Sequence, residues 1–140
     1  MAIYLCIIVV ALSLRSYELA SRAMHHDESL HAYYSWELFQ GSGLTHNPML
    51  HGPLQMELTS LIFLIFGDTD TTARVLYVFA GCILVILPAF MKDLLGRYGS
   101  IAVSILLTIS PTMVYFSRFA RNDILMGAFT FGLVLCMWKY

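Results

Sequence analysis

The densest group of ionisable side chains in this chain is the segment His25-His26-Asp27-Glu28, followed by His31. If the segment is helical, Asp27 and His31 share a face because they stand four residues apart, whereas Glu28 points about 100° aside. Carboxylate and imidazole together are ligands for zinc or manganese, and carboxylates alone suit magnesium or manganese. The alternative is a solvated loop in which these groups pair with one another and cap helices.

Further potential ligands follow in the same part of the chain. His46, Asn47 and His51 stand shortly before a second apolar run, and no histidine lies outside residues 25–51. Single histidines are common in loops and indicate little by themselves. The concentration of all five in one segment favours a functional site.

A second candidate is the string from Tyr115 to Asp123, which holds Arg118 and Arg121 in a short turn between two apolar blocks. Arginine at such a place either reaches from an apolar surface to water or binds an anionic lipid or phosphate through its forked donors. In the membrane orientation predicted below, this turn falls on the outer side, where positive charge is disfavoured. We therefore favour phosphate binding, with Asp123 beside the two arginines.

The elements that must position these residues are predicted to be membrane helices. The chain is 59% hydrophobic and 12% charged, with mean hydropathy +0.72, whereas soluble domains carry about 25% charged residues. A soluble bundle would need polar residues around its helices that this sequence lacks. The three cysteines lie in apolar blocks and read as small hydrophobic residues. With net charge −1 and no basic run, a nucleic-acid partner is not expected.

We predict an all-α integral membrane domain with about four transmembrane helices and two interfacial helices in its first external loop. The predicted spans are residues 1–20, 73–91, 100–116 and 123–139, and the external loop covers residues 21–72. Within that loop, Asp27 is the expected N-cap of a helix over 28–39, and Pro53 opens a second over 53–66 that is too short to span.

The charges predict an orientation in the cell membrane. Lys92 and Arg97 lie in the short second connection, which places that connection in the cytoplasm by the positive-inside tendency. The acidic first loop and the arginine turn are then external. Both ends of the sequence look cut, so we expect the remaining part of a longer chain as a partner.

The order of these motifs resembles the GT-C superfamily of membrane glycosyltransferases. The residues that carry the resemblance are Asp27-Glu28 after a first span, His51-Gly52-Pro53-Leu54 opening a helix, Phe66-Gly67, Ala73-Arg74-Val75, Ser110-Pro111 and the string from Tyr115 to Asp123. The matching branch contains dolichyl-phosphate-mannose protein mannosyltransferases and aminoarabinose transferases. The fuller pattern, with His25-His26 and His46-Asn47-Pro48, is similar to proteins described as flippase-activity-associated in archaeal and bacterial N-glycosylation.

The resemblance implies transfer of a sugar from a polyprenyl-phosphate donor to an acceptor at the outer face. Asp27 matches the proposed catalytic carboxylate of that branch, and Glu28 is its neighbour. His51 occupies a metal or phosphate position, so a divalent cation (Mg²⁺, Mn²⁺ or Zn²⁺) is expected with His51, His26 and His31 as candidate ligands. Arg118, Arg121, Asp123 and Asn47 are the expected donor-phosphate residues.

Two rival functions stay open. One is a flippase-associated or transporter component that handles the lipid phosphate without making bonds. Transporters place ionisable residues within their spans, and we predict none in mid-span here, which favours an enzyme. The other rival is a non-catalytic metal-binding membrane module, which would not need the arginine turn.

Overall fold

The computed structural model describes residues 2–44 and 52–140, and within these ranges the chain is helical with no β-strand. The prediction of an all-α fold is confirmed. Seven α-helices and one 3₁₀ segment follow one another in these ranges: α1 Ala2–Ser16, α2 His26–Phe39, α3 Pro53–Phe66, α4 Asp70–Ile86, the 3₁₀ segment Leu87–Met91, α5 Lys92–Ile109, α6 Pro111–Ser117 and α7 Asp123–Lys139.

Helices α1, α4, α5 and α7 form a bundle whose directions follow from a few contacts. Tyr4, near the start of α1, donates a hydrogen bond to Ser100, and Arg15, near its end, donates to the Thr108 carbonyl. Residue numbers therefore rise together along α1 and α5, so these helices are parallel. One end of the bundle holds residues 87–100, and the other holds α2, α3 and the turn 118–122.

Helix α7 runs parallel to α4, and both are antiparallel to α1 and α5. Ile124 packs in one buried cluster with Tyr77, while at the other end the Lys139 ammonium lies 6.0 Å from the Phe90 ring centroid. The four long helices thus alternate in direction along the chain. An alternation of this kind is common in helical bundles.

Two residues interrupt the path between α4 and α7. Gly96 has φ +70° and ψ 170°, a backbone conformation that side-chain-bearing residues rarely adopt, and α5 is kinked there. Ser110 is extended, with ψ 119°, as expected for a residue that precedes proline. The predicted third span 100–116 therefore contains a helix break, because Pro111 starts the separate short helix α6.

By length and composition, one helical stretch of the described residues, Asp70–Ile109, is apolar and long enough to cross a membrane. Helices α1 and α3 are shorter apolar helices. Four crossings therefore stay a prediction.

Helices α2 and α3 pack against each other, and α3 packs on α4, so both are tied to one end of the bundle. Helix α3 begins at Pro53 and ends before Gly67, as predicted. Helix α2 begins earlier than predicted: its N-cap is His25, whose Nδ1 accepts a hydrogen bond from the Asp27 amide. The prediction of Asp27 as N-cap is wrong, since Asp27 already lies inside the first turn.

Candidate functional site

Glu28 is the centre of the polar structure at this end of the bundle. Its carboxylate is 0% exposed and accepts hydrogen bonds from Arg74 Nε at 2.9 Å and Nη2 at 3.2 Å. Arg22 Nη2 donates to it at 2.8 Å. The backbone amides of His25 and Ala120 donate at 3.1 and 3.0 Å. One side chain thus joins α2, α4 and the turn 118–122.

The electrostatics of Glu28 follow from this shell of donors. Burial raises the pKa of the Glu28 carboxyl, but hydrogen bonds from Arg74 and from two backbone amides, with the positive charge of Arg74, outweigh it. The net result is a pKa below the ordinary value, so Glu28 is ionised at neutral pH. A carboxylate with every acceptor direction occupied is suited to positioning rather than to proton transfer.

Asp27 has the opposite surroundings although it is the adjacent residue. Its side chain is 41% exposed, and Oδ2 lies 2.9 Å from Arg121 Nη1. Arg121 Nε in turn lies 3.2 Å from the Asp123 carboxylate. Within the described ranges, no hydrogen bond is made to Asp27 Oδ1. The structure therefore brings together three predicted site residues, Asp27, Arg121 and Asp123, and leaves one carboxylate oxygen accessible.

Asp27 and His31 stand four residues apart within α2, and the single site that we predicted for them stays a prediction. His31 is buried between α2 and α3, where its Nδ1 lies 2.7 Å from Gln55 Nε2. His26 is exposed at the first position of α2. The part of the chain that the structure describes contains no group of three His, Cys, Asp or Glu residues placed to hold a metal ion. His51 and Asn47 lie outside the described residues, so their proposed roles stay predictions.

Arg118 binds backbone rather than carboxylate. Its guanidinium donates to the carbonyls of Leu14, Tyr17 and Glu18 at 3.4, 2.7 and 3.3 Å, which lie at or just beyond the end of α1. Carbonyls at a helix C-terminus lack intrahelical partners and carry partial negative charge, so a cation there is stabilising. Because it forms no ion pair within residues 2–44 and 52–140, its charge is not neutralised.

A cavity of about 530 Å³ opens beside Arg118. Three arginines and a predominantly apolar wall line it: Leu14, Leu19, Arg22, Arg74, Ile109, Pro111, Val114, Tyr115 and Arg118. Arg22 is held at the rim, with its guanidinium carbon 5.3 Å from both the Tyr115 and the Phe119 ring centroids. Arg22 and Arg74 share one carboxylate, that of Glu28, and Arg118 binds carbonyls. The cavity therefore carries excess positive charge next to apolar surface.

The sequence arguments missed Arg22 as a site residue and gave Arg74 only as part of a motif. Arg22 is six residues from Glu28 along the chain, and Arg74 is 46 residues away. A local signal that could have identified Arg74 is its position at the start of an apolar run, where a buried charge needs a partner.

Arg15 lies in the last turn of α1, away from the mid-span positions at which we predicted no ionisable residue. It belongs to the predicted span 1–20 yet is 1% exposed. Its Nη2 donates to the Leu107 carbonyl at 3.0 Å, whose usual amide donor is missing because Pro111 has no N–H. Its Nε donates to Ser117 Oγ at 3.1 Å. Arg15 thus replaces hydrogen bonds lost at the helix break and does not face the cavity.

Gly81 explains how α4 approaches this arginine so closely. A Cβ built at Gly81 would lie 2.9 Å from Arg15 Nε and would collide with Ser117 Oγ. Only a residue without a side chain fits between them. The helix break, Arg15 and Gly81 therefore form one packed unit below the cavity.

Comparison with known proteins adds no family to this geometry. The chain matches no protein-family model, no curated protein and no solved structure.

Proposed function

We propose that this chain binds a polyprenyl-phosphate-linked sugar at the outer face of the cell membrane and takes part in transfer of the sugar to an acceptor, as a GT-C-type glycosyltransferase. The observation that carries the proposal is the cavity in which Arg22, Arg74 and Arg118 meet an apolar wall. An arginine fork suits phosphate oxygens, and an apolar wall suits an isoprenoid chain. One amphiphilic ligand satisfies both features.

The proposal includes four membrane crossings by the bundle. Large apolar side chains are exposed on the outside of its helices, as in Leu5, Phe79, Leu106 and Leu133, and a soluble protein rarely exposes so much continuous apolar surface. The bundle end that holds Lys92 and Arg97 then faces the cytoplasm. The Glu28 end, with α2 and α3 at the interface, faces outward.

Arg22 and Arg118 are the donor-phosphate residues in this proposal. Arg22 can turn from Glu28 towards a phosphate without leaving Glu28 unpaired, because Arg74 retains two hydrogen bonds to that carboxylate. Arg118 is held by backbone carbonyls alone. Arg121, which we predicted as a phosphate residue from the sequence, would instead orient Asp27.

Asp27 is the proposed general base. Its free oxygen takes the proton from the acceptor O–H or N–H as that heteroatom bonds to the anomeric carbon of the sugar. The bond between this carbon and the phosphate oxygen breaks, and the phosphate departs with the electron pair. The nearby arginines stabilise the charge that develops on it.

The rival that shares most of these features is a lipid-phosphate carrier, because the cavity would bind the same donor without any bond being made. The buried Arg15 does not favour it, since its donors are committed to carbonyls and Ser117. The second rival is a metal-binding module. The described residues contain no group of three potential metal ligands, so binding of the expected divalent cation would depend on His51.

The test is turnover of radiolabelled polyprenyl-phosphate sugars by the protein in liposomes, with donor binding measured in parallel. Asp27→Asn should lower the transfer rate by about 10²–10⁴-fold while donor binding is retained. Asp123→Asn is the matched control, because Asp123 is also 41% exposed and also contacts Arg121, and its effect should stay below about tenfold. Arg118→Ala should weaken donor binding by about 10–100-fold, because it removes one charge-assisted contact to the phosphate.

The outcomes separate the functions. Wild-type transfer by Asp27→Asn would remove the base from the mechanism. Donor binding without transfer by the wild-type protein would favour a carrier. Unchanged donor affinity after Arg118→Ala and Arg22→Ala would reject the cavity as the phosphate site.

A further inference from the structure

A second cavity lies at the bundle end opposite to Glu28. It has a volume of about 450 Å³ and is lined by Ile3 and Tyr4 of α1 and by Lys92, Arg97 and Ile101 of α5. The Lys92 ammonium lies 5.4 Å from the Tyr4 ring centroid, and the Tyr4 hydroxyl is held by the buried Ser100 at 3.1 Å. We propose that this cavity binds the phosphate headgroup of an anionic phospholipid of the cytoplasmic leaflet.

The charges at this end favour an anionic ligand. Across the described ranges, neither Lys92 nor Arg97 forms an ion pair, and both are exposed. The neighbouring Asp93 is the one carboxylate in residues 87–100. Each basic residue near an anionic leaflet contributes a modest attraction, and basic pockets between helices are known to hold lipid headgroups.

The walls favour a lipid over free phosphate. Ile3 and Ile101 line the cavity beside the two cations, and Leu94 and Tyr98 are exposed on the adjoining surface of α5. A free phosphate would gain nothing from this apolar surface, whereas the first carbons of acyl chains would be buried on it. The inference rests on the proposed membrane orientation and is independent of sugar transfer.

The experiment is native mass spectrometry of the whole chain in detergent, titrated with phosphatidylglycerol. Lys92→Gln and Arg97→Gln should each weaken lipid retention about fivefold, the effect of about 1 kcal/mol per basic residue. Lys139→Gln is the matched control, because this lysine lies at the same end, over the Phe90 ring, but does not line the cavity. It should change retention less than about twofold.

Three results would overturn the proposal: an equal loss in Lys139→Gln, equal retention of phosphatidylcholine, or displacement of the lipid by the same concentration of glycerol 3-phosphate. The first would indicate diffuse charge and the third a free-phosphate site. Arg118→Ala, which should weaken binding of the sugar donor, is expected to leave phosphatidylglycerol retention unchanged. Failure here is therefore distinguishable from failure of the proposed function.

Discussion

Glu28→Gln keeps the shape of the side chain and removes its charge from the centre of a buried network. The Glu28 side chain is 0% and the Arg74 side chain 1% exposed, so the substitution leaves a buried guanidinium without its counter-ion. Breaking a buried pair in this way costs about 3–5 kcal/mol. At about 2–4 °C per kcal/mol, the midpoint of thermal unfolding should fall by about 6–20 °C.

The adjacent residue supplies the control for this substitution. Asp27→Asn removes the same charge from a pair whose side chains are 41% and 34% exposed, and exposed pairs contribute about 0.2–1 kcal/mol. Its unfolding midpoint should therefore fall by less than about 4 °C. The assay is thermal unfolding of both variants in one detergent, followed by circular dichroism at neutral pH.

A double variant tests whether the stability lost in Glu28→Gln comes from the ion pair between Glu28 and Arg74. Arg74→Met should lower stability less in the Glu28→Gln background than in the wild-type protein, with a coupling energy above about 1 kcal/mol. If Glu28→Gln and Asp27→Asn unfold within about 2 °C of each other, or if the cycle shows no coupling, the reasoning about the buried carboxylate is refuted.

Three further predictions concern pH, packing and topology. The folded-state pKa of Glu28 lies below its ordinary value of 4.5. The stabilisation that ionised Glu28 provides is therefore present above about pH 4.5 and is lost as pH falls through the folded-state pKa. The unfolding midpoint measured from about pH 7 to 3 should fall less in Glu28→Gln than in the wild-type protein. Gly81→Ala should cost about 1–3 kcal/mol by overpacking, measured by chemical unfolding, whereas Gly132→Ala, where nothing lies within 4 Å, should be neutral or stabilising. In a chain whose native cysteines are replaced by serine, an impermeant thiol reagent should label a cysteine at Ser42 from outside sealed cells and not one at Gly96; the reverse pattern would invert the proposed orientation.

Much of the helical layout could be predicted because its signals are local. Pro53 and Gly67 bound α3 in the sequence as they do in the structure. The beginning of α2 was harder, since histidine is an uncommon N-cap and Asp27 looked better suited to that role. The break at Ser110–Pro111 was visible as a motif, yet hydropathy continued across it and suggested one span.

The candidate site was predicted only in part because its decisive contacts are long-range. The local argument expected Glu28 to point aside from the site, whereas in the structure its carboxylate accepts hydrogen bonds from four residues. Its donors Arg74 and Ala120 stand 46 and 92 residues away along the chain. No periodicity within α2 indicates such partners. The sequence could therefore identify the acidic pair Asp27-Glu28, but it could not show that Glu28 is buried in an ion pair while Asp27 is partly exposed.

The spread of the Glu28 donors along the chain has a consequence for biogenesis. Arg22, six residues away, can pair with this carboxylate as soon as the first helices emerge. Arg74 follows later, and the Ala120 amide comes 92 residues after Glu28, which at about 5–20 residues per second is a delay on the order of 5–20 s. During that interval Glu28 can pair with Arg22 and then with Arg74, but it lacks the Ala120 amide. Asp27 lacks Arg121 until the turn 118–122 has been synthesised. Nascent chains that stop before this turn should therefore be cleaved by added protease near Asp27 more readily than longer chains.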